Sequence, residues 1–164
     1  MNNLKVENNS ISQDDLINAP SMVANGRQLC DLELLLSGAF SPLDGYMSHE
    51  DYSSVLNEMR LSDGSLWPIP ITLDVSQNFI DSNNISSGSL FLIRDEEGVA
   101  IASISVTDIW EPDKKIEAKC VYGTTDITHP GVDYLLNVSD KIYVGGVVSK
   151  LNMPRYYDFK DIRH

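Results

Sequence analysis

The sequence predicts an α+β domain with a small, strongly bent or barrel-like sheet. Helical spacing of apolar residues is strongest early, between Leu29 and Met59. Short, β-branched runs take over from Ile69 onward. Turn signals rather than long helical crossovers separate those runs, which argues against a regular parallel βαβ sheet. The length, 164 residues, fits one domain with at most a small appendage. A domain of this size buries roughly 70% of its unfolded surface, enough for a self-sufficient core.

Residues 1–20 are polar and Asn-rich and are expected to be loosely ordered, with the folded domain spanning 21–164. Leu29, Leu32, Leu35 and Leu36 predict a buried helix over about 27–37, with Gly38 as its left-handed terminator. Phe40 to Tyr46 is a turn-rich loop built on Pro42 and Gly45. Ser48 and Asp51 have capping-box spacing, and Tyr52, Val55, Leu56 and Met59 follow at i, i+3, i+4 and i+7.

Ile69 to Val75 predicts a strand that Pro68 and Pro70 confine to an edge or bulge at its start. Ser89–Arg94 and Val99–Ile109 flank Asp95-Glu-Glu-Gly98 and predict a hairpin. In its second arm Ala102, Ile104 and Val106 form the face expected to point to the core. A short helix is expected from Glu111-Pro-Asp113 to about Val121, ending at Gly123. Thr124 to Val138 reads as loop with a short helix. Ile142 to Val148 reads as a last strand, in which Gly145-Gly146 signals a bulge or a close backbone approach.

Twelve basic residues stand against 24 acidic ones, a net charge of −12. That field repels phosphate polymers and anionic lipid headgroups, so neither nucleic acid nor membrane is an expected partner. No apolar run is long enough for a transmembrane helix. The first residues lack a basic n-region and an apolar h-region, and a cytoplasmic chain is expected. Cys30 and Cys120 are 90 positions apart with no C-x-x-C, so two buried, reduced thiols are expected. Asn8, Asn84 and Asn137 begin N-x-S sequons, which are chance matches in a chain that is not secreted.

No motif carries a chemistry. G-x-x-x-x-G-K-[ST] and G-x-G-x-x-G are both missing, and Gly145-Gly146-Val-Val-Ser-Lys150 has no strand–loop–helix order around it. His49, His129 and His164 do not pair at helical spacing; His49 is expected to be solvated in a first helical turn. Asp95, Glu96 and Glu97 mark an exposed hairpin turn, and no spacing among Asp126, Asp133 and Asp140 singles out a magnesium pair. Ser41 and Ser105 lie in no nucleophile elbow. Arg27, Arg60, Arg94, Arg155 and Arg163 are isolated. Tyr156, Tyr157 and Phe159 read as a partner surface or a core edge more readily than as a base-stacking platform. No catalytic, cofactor or metal site is therefore expected.

A series of segments resembles the amino-terminal part of ATP sulfurylase (sulfate adenylyltransferase). They are Arg27-Gln-Leu-Cys-Asp-Leu-Glu33, Gly38-Ala-Phe-Ser-Pro-Leu-Asp-Gly-Tyr-Met47, Met59-Arg-Leu with Trp67-Pro-Ile-Pro-Ile-Thr-Leu-Asp-Val75, and Asp108-Ile-Trp-Glu-Pro-Asp-Lys114. Tyr122-Gly-Thr-Thr-Asp126, His129-Pro-Gly-Val132, Tyr143-Val-Gly-Gly146, Tyr157-Asp-Phe159 and Ile162-Arg163 continue it in the same order.

The resemblance implies a PUA-like pseudo-barrel with short peripheral helices. It implies a scaffold role beside a separate catalytic domain that makes adenosine 5′-phosphosulfate and pyrophosphate from ATP and sulfate. That domain carries a Gln-x-Arg-Asn-Pro loop and a His-x-x-His motif, and neither occurs here. The chain alone is expected to be inactive, with the catalytic domain as its partner and homo-oligomer contacts possible. A free-standing PUA-like binding module for RNA or protein, and a small complete enzyme with an unrecognised site, are the competing expectations. The catalytic domain's contact is expected first at Met153, Tyr156, Tyr157 and Phe159, which lead toward that domain, and second at Phe40, Pro42, Leu43 and Tyr46, whose competing reading is a satellite core beneath the turn.

Overall fold

The computed structural model describes residues 18–154. Three strands form the centre of the sheet: β4 (Leu90–Arg94), β5 (Ala100–Trp110) and β6 (Ile142–Lys150), each antiparallel to the next. β1 (Ser21–Val23) adds parallel to β4. The far edge of β6 is shared: β2 (Gly45–Tyr46) pairs with Gly146 and Val147, and β3 (Leu73–Val75) with Ile142 to Val144. The order is β1-β4-β5-β6-β2, with β3 beside β6, and the sheet is mixed and not closed. The α+β expectation holds, and the pseudo-barrel takes the form of an open six-stranded sheet.

Helix α1 (Gly26–Leu36) is the predicted first helix. Its start is fixed by a capping box that the sequence reading missed: the Asn25 side chain accepts from the Gln28 amide, and the Gln28 side chain accepts from the Asn25 amide. Gly38 follows its last turn at φ +78°, as expected of a left-handed terminator.

Helix α2 (His49–Glu58) is capped by Ser48 as predicted, but Asp51 does not complete the box. Its Oδ1 accepts instead from the backbone and hydroxyl of Ser62, at 2.8 and 2.6 Å, pinning the turn that follows the helix. Short α3 (Gln77–Ser82) follows β3. α4 (Lys114–Tyr122) starts at the Asp113 cap, so Pro112 sits before the helix rather than in its first turn. α5 (Pro130–Asp133) runs on into a single π-helical turn over Tyr134–Val138.

Leu32, Tyr46, Val55, Leu73, Phe91, Ile93, Ile101, Ile104, Tyr143 and Val144 belong to one buried cluster between the sheet and the helices. Ala118, Val132 and Leu135 form a satellite under the α4–α5 connection. The predicted core face of β5 is buried, but so are Ile101 and Ser103 on the other face. Strict alternation fails there because this stretch of β5 is covered on both faces.

The predicted strand from Ile69 shrinks to β3. Pro68 and Pro70 lie outside any ladder, and Ile69 is half exposed. The extra residue near the paired glycines is on β5, where Thr107 interrupts the register. The glycines serve close approach: a Cβ on Gly146 would collide with the Ser105 carbonyl oxygen, and one on Gly145 with that of Met47.

Two expectations are corrected. Cys30 and Cys120 are both exposed rather than buried, because each falls on the solvent side of an amphipathic helix. Of the two readings of the Phe40–Tyr46 loop, the core beneath the turn holds and the free apolar surface does not. Tyr46 is buried with its hydroxyl donating to the Gln28 carbonyl, and Phe40 and Leu43 pack on the main core, where Phe40 meets Trp67 edge to face. Of the four residues named there, Pro42 is the exposed one. Met153 is half-buried. Tyr156, Tyr157 and Phe159 lie outside the described residues, as do Arg155, Arg163, His164 and residues 1–17.

Candidate functional site

The densest chemistry lies where α1, α2, α4, β3 and β6 meet. Asp74, in the middle of β3, is 2% exposed. A charge buried this deeply needs partners, and α1 supplies two. Arg27 Nη2 donates to Asp74 Oδ1 at 2.6 Å, and Gln28 Nε2 to the same oxygen at 2.9 Å. The Asp140 backbone N–H donates to Oδ2 at 2.9 Å. Arg27 also donates to Asp31 one turn along, at 2.9 Å, and to the Thr72 carbonyl at 3.4 Å. Its guanidinium lies 5.2 Å from the centre of the Tyr134 ring. Burial pushes the Asp31 carboxyl up, and the Arg27 charge opposes that push.

Across from this pair, Glu117 projects from α4 and is 7% exposed. Tyr52 from α2 and Tyr143 from β6 both donate their hydroxyls to Glu117 Oε2, at 2.9 and 3.0 Å. Burial pushes the Glu117 carboxyl up, while the two tyrosine hydrogen bonds and the charges of Lys114 and Arg27 pull it down. Burial and then the Glu117 charge raise both tyrosine hydroxyls, which therefore stay protonated donors. Trp110 packs against both tyrosine rings, and His49 leans on Trp110 at 5.2 Å.

Between these two networks opens a cleft of about 230 Å³. Arg27, Asp31, Glu117, Tyr134 and Tyr143 border it with Ile69, Pro70, Val121 and Tyr122. Arg27 Nη1 and Nη2 are held by two carboxylates and a carbonyl, while its buried Nε has no hydrogen-bond partner among the described residues. No group of three His, Cys, Asp or Glu that could hold a metal ion occurs among the described residues.

A family model described as a PUA-like domain matches residues 2–153. The chain belongs to the PUA-like domain family. It is 46% identical over 145 residues to the sulfate adenylyltransferase of Yarrowia lipolytica and 45% identical over 146 residues to that of Mycosarcoma maydis. Each match covers 88% of this chain and 25% of the relative, so the chain spans a quarter of the length of these curated relatives. Among solved structures it resembles the hexameric APS kinase from Thiobacillus denitrificans, with a TM-score of 0.69 and 26% identity over 92% of this chain and 25% of that one.

In this PUA-like domain the residues weighed from the sequence are mostly dispersed. His49 is exposed at the start of α2, as expected, and His129 caps α5 by accepting from the Gly131 amide through Nδ1. Glu96 and Glu97 are exposed on the hairpin turn, while Asp95 is half-buried and accepts from the Val99 amide. Asp126 caps its own turn through the Thr128 amide, and Asp133 holds the Asn137 side chain. Arg60 and Arg94 each donate to a nearby glycine carbonyl. Arg27 alone among the described arginines enters the buried network, and Asp140 is drawn to it through its backbone.

The sequence reading missed Asp74, Gln28, Glu117, Tyr52 and Tyr143 as a polar unit. One signal was available: an aspartate inside the apolar run Ile71-Thr-Leu-Asp-Val75 must be paired if that run is buried. Nothing local marks Glu117. Among the described residues no helix is long and apolar enough to cross a membrane.

Proposed function

We propose that this chain is the amino-terminal scaffold domain of a sulfate adenylyltransferase, contributing a folded support to a catalytic domain that forms adenosine 5′-phosphosulfate and pyrophosphate from ATP and sulfate. The observation that carries this reading is the 46% identity over 88% of the chain to a protein of which it spans 25%. The polar network supports it too. Asp74 ties α1 to β3, and Glu117 separately ties α4 to α2 and β6, the pattern of two structural clamps.

The proposal includes a folded unit from residue 21 onward preceded by a loose segment over 1–20. It includes a cytoplasmic setting with both thiols reduced, and contact with the catalytic domain in cis or in trans. Leu66 and Ile69, 70% and 50% exposed on either side of Trp67, supply apolar area that such a contact would cover. Assembly into a homo-oligomer belongs to the same proposal, supported by the hexameric structural neighbour.

Pyrophosphate release from ATP, sulfate and magnesium by this chain alone is expected to stay at background, since charge stabilisation and positioning of phosphate carry such chemistry. Sulfate-dependent turnover would overturn the scaffold reading. The PUA-like fold allows an RNA-binding module as a second reading, but a net charge of −12 opposes it. An anisotropy titration near physiological salt is expected to show no binding at micromolar RNA.

A further inference from the structure

We propose that the cleft above Glu117 binds an organic cation, an alkylammonium or guanidinium group on a short aliphatic stem. This goes beyond the scaffold role and stands on the geometry of the cleft alone.

The charge balance of the walls selects the sign. The Arg27 guanidinium is matched by Asp31 at 2.9 Å and Asp74 at 2.6 Å. Its Nε is buried and makes no hydrogen bond among the described residues, but the guanidinium charge is already met by those two carboxylates. The Lys114 ammonium is turned to the Ser139 carbonyl and hydroxyl, both at 2.7 Å. Glu117 is the carboxylate left in the wall with no basic side chain in contact among the ion pairs of the described residues.

The geometry selects the shape. Both tyrosine hydroxyls converge on Glu117 Oε2, and Oε1 receives neither. An ammonium in the cleft gives that side of the carboxylate the donor that the tyrosines do not. A cation beside Glu117 also adds to the charges of Lys114 and Arg27, which already oppose the upward push of burial on its carboxyl. Tyr122, 40% exposed, offers aromatic surface to the same charge, while Ile69, Pro70 and Val121 line the route for an apolar stem. A volume of about 230 Å³ suits a group the size of a lysine or arginine side chain better than a nucleotide.

The test is an NMR titration of the ¹⁵N-labelled chain at physiological salt with n-butylammonium chloride, with n-butanol as its neutral counterpart. The expected result is saturable amide shifts confined to the cleft, at Thr72, Val121, Leu135 and their neighbours, with n-butanol binding at least ~10-fold more weakly. Glu117→Gln keeps an acceptor for both tyrosines and is expected to weaken n-butylammonium by a similar factor. If that variant does not fold, the comparison of ammonium with alcohol on the unaltered chain decides.

Equal binding of the alcohol, shifts scattered over the acidic surface without saturation, or unchanged binding by a folded Glu117→Gln protein would each overturn the proposal. A third arm identifies the source. Tighter binding of Nα-acetyl-lysine amide than of n-butylammonium assigns the cleft to a basic side chain of a polypeptide, and the reverse assigns it to a free amine; both outcomes uphold the site.

Discussion

Replacing Asp74 by asparagine removes one charge and almost no volume. Every group around the carboxylate donates: Arg27 Nη2 and Gln28 Nε2 to Oδ1, and the Asp140 N–H to Oδ2. An asparagine offers one acceptor oxygen and one amide nitrogen. Whichever way the amide turns, its N–H₂ faces a donor. If the oxygen stays on Arg27 and Gln28, the Asp140 amide is orphaned. If it turns to Asp140, both side-chain donors are.

Losing a hydrogen bond to a charged group costs about 1.5–3 kcal/mol, and orphaning a buried neutral donor about 1–3 kcal/mol. Two effects reduce the total. The asparagine is cheaper to desolvate than the carboxylate, and the Arg27 side chain is 36% exposed and keeps Asp31. The net expectation is a loss of ~2–3 kcal/mol, or roughly 4–12 °C in Tm for a domain of this size. Urea unfolding followed by circular dichroism measures it, with the m-value unchanged. Asp31→Asn is the control: its pair with Arg27 is a local i,i+4 contact, so a loss of no more than ~1 kcal/mol is expected. An Asp74→Asn protein within ~0.5 kcal/mol of the parent, or an Asp31→Asn protein that loses more, would refute the assignment of Asp74 as the clamp between α1, β3 and the β6 entry.

Two further outcomes follow from the same geometry. The folded protein holds the Glu117 proton more tightly than the unfolded chain does, because burial raises the carboxyl above its ordinary 4.5. The folded state therefore binds more protons just above pH 4.5, and this contribution to stability falls as pH rises from 4.5 through the folded value. Glu117→Gln is expected to flatten the decline of urea midpoints with rising pH across that window, and a steeper decline would contradict the burial effect. Gly45→Ala places a Cβ against the Gly146 carbonyl oxygen and 2.8 Å from the Val147 Cα, all backbone. It is expected to cost ~2–3 kcal/mol, measured by thermal melting; a neutral result would mean that the β2–β6 pairing yields easily.

The fold was legible in the sequence where one physical signal acts alone. The spacing of Tyr52, Val55 and Leu56 places α2, and Gly38 and Gly123 mark helix ends at positive φ. The hairpin turn at Asp95 to Gly98 places β4 and β5. Legibility failed where a tertiary contact overrides a local rule. Asp51 had the spacing of a capping residue but serves Ser62, because the following turn folds back within reach. Ile69 had strand composition, but the flanking prolines leave it outside the ladder.

Tyr46 and Phe40 read as a partner surface because they sit in a loop, yet that loop covers the core. The polar network is the extreme case. Arg27 and Asp74 are 47 positions apart and Tyr52 and Glu117 are 65 apart, so no window of sequence brings them together. Only the anomaly of an aspartate within an apolar strand pointed to one member.

The central claim is that this domain is the amino-terminal support of a sulfate adenylyltransferase and needs the rest of that enzyme to take part in its chemistry. The most direct measurement replaces the matching quarter of the Yarrowia lipolytica relative with this chain and follows sulfate-dependent pyrophosphate release. The fused protein is expected to turn over ATP only when sulfate is present, and its activity is expected to fall together with domain stability in the Asp74→Asn background. A fusion that folds, by circular dichroism and gel filtration, but releases no sulfate-dependent pyrophosphate would contradict the claim.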